Sequence, residues 1–263
     1  CYNCGCQLSE HDYCTACGAD VGYYKKIMYA SNRFYDDGLE KATVRDLSGA
    51  ILSLRQSLKF NKNNIDARNL LGLVYFEMGE TVSAMAEWVI SKNLRPEKNV
   101  ADDYLTLLQE NAGRMSTIYD GIASYNKAYD YCLQDAKDLA IIQLKSVLSK
   151  NTKFVKAHQL LALLYMSSED YAKAERELQK TLAIDRNNTL SLTYMKEVEE
   201  VLAPDEATAR NTKNVKKSKD AIRYQSDNEV IIQPANVREP RGGGGISTLV
   251  NIGIGMLIGL AVM

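Results

Sequence analysis

Five of the six cysteines fall within the first 17 residues, and four of them form two C-x2-C pairs, Cys1 with Cys4 and Cys14 with Cys17, separated by nine residues. Such pairs bring four thiolates to one tetrahedral ion, and zinc is the ion expected. Gly5 and Gly18 follow the pairs and permit the positive φ of a tight turn whose amides point at sulfur. Four sulfur ligands leave no open coordination position, so the predicted role of zinc at Cys1, Cys4, Cys14 and Cys17 is structural. The competing chemistry is a C-x-x-C redox centre, which normally opens a helix in a βαβ context that is missing here. Cys6 reads as an accessory or free thiol, His11 as a loop residue and Cys132 as a core residue.

Hydrolase chemistry has weak support in the rest of the chain. The two histidines, His11 and His158, lie far apart in sequence, which disfavours a multi-histidine metal site or a His-centred catalytic array. His158 reads as a partly exposed helix residue. The expectation is a protein without enzymatic activity. With 32 basic and 33 acidic side chains the net charge is -1, so no overall field points to nucleic acid. Residues 1–20 contain no Lys or Arg, which weighs against the alternative of a nucleic-acid-binding zinc module.

These cysteines need a scaffold, because about 20 residues cannot bury enough apolar surface to fold without the metal. The scaffold is read from an internal period. A small residue followed four positions later by a large apolar one occurs at Ala50 with Leu54, Ala84 with Trp88, Ala140 with Leu144 and Ala174 with Leu178. The anchors are spaced by 34, 56 and 34 residues. A 34-residue period is that of a helix-turn-helix repeat, and 56 is one period plus roughly one extra helix, placed near residues 99–120.

The second unit resembles the tetratricopeptide (TPR) pattern in Leu71-Gly72, Tyr75, Ala84, Trp88 and Pro96, with Arg68 in place of the leading Trp. The fourth repeats it with Leu161-Ala162, Tyr165, Ala174 and Leu178, and has Arg186 where Pro would sit. The third has Ala128, Tyr131, Ala140 and Leu144, and the first keeps Gly38, Ala50 and Leu54 with Lys41 replacing Tyr. The small residues let paired helices approach, and the large ones fill the space beside them. Trp88 is expected to be core. The N-terminal cysteine segment is similar to a short zinc ribbon. The fold class predicted is all-α: a TPR helical-hairpin solenoid over 23–202 with about four repeats, a zinc ribbon over 1–20, a capping helix over 189–202 and a C-terminal transmembrane helix.

The TPR resemblance implies a peptide groove on the first helix of each hairpin. Carried onto this sequence, its positions are Tyr35, Asp66, Asn69, Leu73 and Phe76, then Tyr125 and Tyr129, then Gln159, Leu163 and Met166. The basic clamp that chaperone-binding members use for a terminal carboxylate is not supported, since the second unit offers Asn69 and Leu73 there. Aromatic and apolar character fits an amphipathic or aromatic-containing segment of an unknown protein partner. The competing reading fills the groove with the inserted helix around Tyr104, Leu105 and Leu108.

Residues 203–245 read as a flexible linker whose stretch 210–223 carries six basic side chains against Asp220 alone. Residues 246–263 contain no charged residue and would make roughly 27 Å of helix, close to a bilayer's hydrocarbon thickness. A membrane span is expected there, cut near its end. Arg238 and Arg241 place its N-terminal side in the cytoplasm. The chain opens on Cys1 instead of Met, so the native start is expected upstream. The whole order resembles membrane-anchored zinc-ribbon/TPR proteins of Gram-positive bacteria and implies a non-enzymatic, membrane-tethered adaptor. The alternative is a cytosolic scaffold for a sensor or enzyme domain beyond residue 263.

Overall fold

The computed structural model describes residues 1–110 and 112–203, together with the backbone of 225–226 and 229–230. The proposed span 246–263 and nearly all of the proposed linker lie outside the described residues. No described helix is long and apolar enough to cross a membrane.

Among the described residues ten helices follow the N-terminal segment: α1 (Gly22–Thr43), α2 (Leu47–Phe60), α3 (Ile65–Glu77), α4 (Thr81–Leu94), α5 (Val100–Gln109), α6 (Ala112–Leu133), α7 (Lys137–Lys150), α8 (Val155–Ser167), α9 (Tyr171–Ile184) and α10 (Thr189–Leu202). Two strands, β1 (Gln225–Ser226) and β2 (Glu229–Val230), pair antiparallel. The helices pair as hairpins α1/α2, α3/α4, α6/α7 and α8/α9. Within each hairpin the turn contains one residue in the left-handed region: Arg45, Gly79, Asp135 and Glu169. Their spacing matches that of the Ala50, Ala84, Ala140 and Ala174 anchors, so each turn stands five residues before its anchor.

Ala50, Ala84, Ala140 and Ala174 are fully buried, as are Leu54, Leu144 and Leu178, with Trp88 2% exposed. Close helix approach is most severe in the second hairpin. A Cβ on Gly72 would stand 2.3 Å from the Trp88 indole nitrogen, so the large residue on α4 fits only because α3 has none there. Lys41, at the tyrosine position of the first unit, instead bridges Asp37 at 2.7 Å and Ser53 at 2.8 Å.

The extra segment is a lone first helix. Asn99 caps α5 by accepting from Ala101 N and bonds Asn69 and Ser91 of the preceding hairpin. Asn64 plays the same part at the start of α3, bonding Ser31 and Ser57. Thus α5 stacks as the next hairpin's first helix would, but no second helix follows; the chain passes into the long α6. Tyr104 stacks on Trp88 at 4.8 Å, and Leu105 and Leu108 are buried. Two cores result: one is built on α2 to α5, and the other on α6 to α10.

Candidate functional site

The N-terminal segment forms two similar knuckles. Gly5 N–H donates to Cys1 O at 2.9 Å and Gly18 N–H to Cys14 O at 2.8 Å, and both glycines have φ near the left-handed value, 73° and 75°. Two residues past a cysteine in each knuckle, the Cys6 amide meets the Cys4 sulfur and the Ala19 amide meets the Cys17 sulfur. The sulfurs of Cys1, Cys4, Cys14 and Cys17 all lie within 4.8 Å of one another, with Cys1 to Cys17 at 3.7 Å and Cys4 to Cys14 at 3.6 Å. Zinc–sulfur bonds of about 2.3 Å at tetrahedral angles require sulfurs about 3.8 Å apart, so the donor set fits that ion.

The electrostatics fit the same reading. Cys17 is lowered to about 7 by the Ala19 amide, the Asn3 side chain and the Cys4 thiol. For Cys4 the Cys6 amide pulls downward, but the hydrogen bonds with Cys17, Cys14 and Cys6, together with desolvation, prevail and push it up to about 12. Neighbouring thiols thus resist ionising together unless a cation compensates them. Cys6 is exposed, outside the set of four. The segment is seated on α1: Val21 is fully buried, and Lys25 Nζ donates to Ser9 O at 2.5 Å and His11 O at 2.7 Å.

The predicted groove residues separate into three groups. Phe76 of α3, Tyr125 of α6 and Gln159 of α8 come from three hairpins and line one cavity of about 730 Å³. Its walls add Leu108, Ile118 and Ile122, and its rim carries Lys150, Lys153 and Lys156. Burial pushes the Tyr125 phenol well above its ordinary value, and its ring meets Phe154 at 4.9 Å. Asn69, Leu163 and Met166 do not line this cavity. Asn69 is buried between hairpins, where its side chain bonds Asn99 and Ser91, and Leu163 and Met166 are enclosed in the second core, which includes Tyr194, Met195 and Val198 of α10. Leu73 packs partly buried on the first core, and Tyr129 is half-buried on α6.

His158 departs from its sequence reading. It is 3% exposed, with one ring nitrogen 2.6 Å from the Glu177 carboxylate and the other 3.0 Å from Thr152 O. It is a fixed core group because two acceptors are already placed against it. The periodicity of α8 concealed this burial, since α8 has buried residues on every face.

Sequence reasoning also missed what closes the cavity. The hairpins α1 to α4 form one arm, and α6 to α10 form a second that folds back on it. Asp185, fully buried, accepts from Leu47 N at 2.9 Å and Ser48 N at 3.2 Å, so the second arm caps the N-terminus of α2. Arg186 N–H donates to Arg45 O at 2.9 Å. At the second meeting point Val155 N–H donates to Met78 O at 3.2 Å and Asn151 Nδ2 to Gly79 O at 2.8 Å. Lys153 pairs with Glu77 and Lys156 with Glu80.

No protein-family model matches the chain, and comparison with curated proteins finds no match. Among solved structures the chain is similar to the MamA protein, at 23% identity over 72% of this chain and 91% of that one, with a TM-score of 0.31. It is also similar to the TPR domain of P58(IPK), at 15% identity over 72% of this chain and 61% of that one, with a TM-score of 0.38. A third is YrrB, a TPR protein with an unusual peptide-binding site, at 15% identity over 67% of this chain and 97% of that one, with a TM-score of 0.29. The chain's own repeat carries the description of its fold: four helical hairpins with turns and small-residue anchors in register, and a tetrathiol knuckle pair seated on the first helix.

Proposed function

We propose that this chain is a non-enzymatic TPR adaptor that holds a protein partner near a membrane. The observation that carries the reading is the convergence of Phe76, Tyr125 and Gln159, from three hairpins, on one apolar-walled cavity. Aromatic and aliphatic walls with a few side-chain amides and a lysine rim suit a partner segment that inserts a bulky apolar side chain. Cys1, Cys4, Cys14 and Cys17 would hold zinc. The bound ion would supply charge compensation and cross-linking to the ribbon. Residues 246–263 would provide the anchor as a single span, with the arms on the cytoplasmic side.

The test compares partner capture with stability. Ile118 and Ile122 line the cavity and are half-buried, so Ile118→Ala and Ile122→Ala should weaken capture of the cytosolic partner while shifting the melting temperature little. Leu52→Ala, on an exposed side chain of α2, serves as the control. Unchanged capture by both cavity variants would retire the cavity as the binding site.

A further inference from the structure

We infer that the cavity opens and closes through release of one two-point clasp between the arms: Asp185 on the N-terminus of α2, and the Gly79 turn on the N-terminus of α8. This regulates the site proposed above and rests on that reading for its purpose, though its geometry stands apart from any ligand.

Both points follow one scheme. In each, the first amide of a helix in one arm donates to the opposite arm: Leu47 N–H to Asp185, and Val155 N–H to Met78 O. The turns involved, at Arg45 and Gly79, are one repeat apart, and so are the junction residues Asn151 and Asp185 that meet them. The order is antiparallel, the first turn meeting the last junction.

The residue types at these points make sense only in the closed form. Of the four left-handed turn residues Gly79 alone is glycine, and a Cβ there would stand 2.6 Å from Phe154 Cα of the opposite arm. Helix α8 has Phe154 at its N-cap and no capping side chain, whereas α3 and α10 are capped by Asn64 and Asn188. Separation of the arms would leave Val155 N–H without its protein partner, and would leave Asp185 without two of its donors.

The contact is nevertheless narrow. Among the described residues no helix of one arm packs along a helix of the other; loops make the junction, and its apolar part is Val155 and Ile184 set against the first core. The walls of the cavity include Met78, Gly79 and Glu80 from one side of the clasp and Phe154, Val155 and Lys156 from the other. Release therefore parts the walls themselves, and the lone helix α5 with α6 is the connection about which the arms would turn. A cavity of about 730 Å³ accommodates a few side chains, so a protein segment threaded between the arms needs that release.

Amide hydrogen exchange on the metal-loaded full chain tests the inference without any partner. Leu47, Ser48, Val155 and Arg186 amides should share one opening reaction. Asp185→Asn should accelerate all four by about tenfold, including Val155, which Asp185 does not touch, with the interiors of α3 and α8 unchanged. Acceleration confined to Leu47 and Ser48 would overturn the clasp as a single unit. Should Asp185→Asn instead unfold α2 throughout, Gly79→Asn decides, because Asn tolerates the left-handed turn and presses on the Lys153 and Phe154 backbone of the opposite arm: acceleration at Leu47 supports the clasp and none overturns it. Loss of partner capture in cavity variants with unaltered exchange would bear on the partner reading alone.

Discussion

Arg68 and His158 occupy the same place in the second and fourth hairpins and make the same two contacts. Arg68 bonds Lys62 O at 3.0 Å and the Glu87 carboxylate at 2.7 Å, and His158 bonds Thr152 O at 3.0 Å and Glu177 at 2.6 Å. Both stand where the TPR pattern has a large aromatic residue, so a side chain that ties the two helices of a hairpin through a glutamate replaces one that fills space between them.

The glutamate of the fourth hairpin gives a pH prediction. Burial alone would raise Glu177, but hydrogen bonds from His158 and Lys180 outweigh it and hold the carboxyl below its ordinary 4.5. A depressed folded-state value means that ionised Glu177 stabilises the fold above about pH 4.5, and that this contribution is lost as pH falls through the folded value. Glu177→Gln should cost about 1–3 kcal/mol at pH 7, and the gap from the parent should narrow in melts below pH 4.5. A gap constant across that range would show that the carboxylate charge does not matter.

The metal reading predicts one zinc per chain by elemental analysis. Cobalt substitution should give thiolate charge-transfer absorption. Cys14→Ser, which removes the one buried thiol of the four, should abolish binding, while Cys6→Ser should leave the stoichiometry unchanged. Chelation should unfold the ribbon and leave the helical signal of the arms nearly intact, because their cores contain none of residues 1–20. Metal content well under one per chain, with freely titrating thiols, would refute the site.

Among the described residues the buried Tyr194 hydroxyl has no hydrogen-bond partner, and burial raises it to about 12. Removing an unsatisfied buried donor relieves its desolvation penalty, so Tyr194→Phe should raise stability by about 1 kcal/mol in denaturant unfolding. A loss of similar size would mean that the hydroxyl has a partner in solution.

The hairpins were legible because their signal is local: Ala50, Ala84, Ala140 and Ala174 must be small wherever two helices touch, and that requirement repeats with the chain. The knuckles were legible for the same reason, since Gly5 and Gly18 follow the cysteines directly. The closure was not. Nothing in the sequence around Gly79 and Asp185 signals that Phe154 and Leu47 face them, because those partners lie more than 70 residues away along the chain. The groove suffered accordingly: Phe76, Tyr125 and Gln159 reach the cavity, while Leu163 and Met166, drawn from the same family positions, lie in the second core. Likewise Asn99 stands 35 residues after Asn64, a hint that α5 opens as a repeat does, but nothing local shows that its second helix is missing.

The last prediction concerns the pair at the centre of the second hairpin. Trp88 is almost fully enclosed, donates from its indole N–H to Asn69 O at 3.2 Å, and stacks on Tyr104. Trp88→Ala should cost about 3–5 kcal/mol and lower the melting temperature of the whole first arm, since α5 rests on the same ring. Gly72→Ala should also destabilise, because its new Cβ would collide with the rigid indole. The third and fourth hairpins show the remedy: Ala128 and Ala162 hold the repeat position of Gly72, and Leu144 and Leu178 that of Trp88, all four fully buried. Gly72→Ala combined with Trp88→Leu recreates that pair. The double variant should therefore be more stable than the sum of the single losses implies, with a coupling of about 1–3 kcal/mol in a double-mutant cycle. Strict additivity would show that Gly72 and Trp88 do not contact each other in solution.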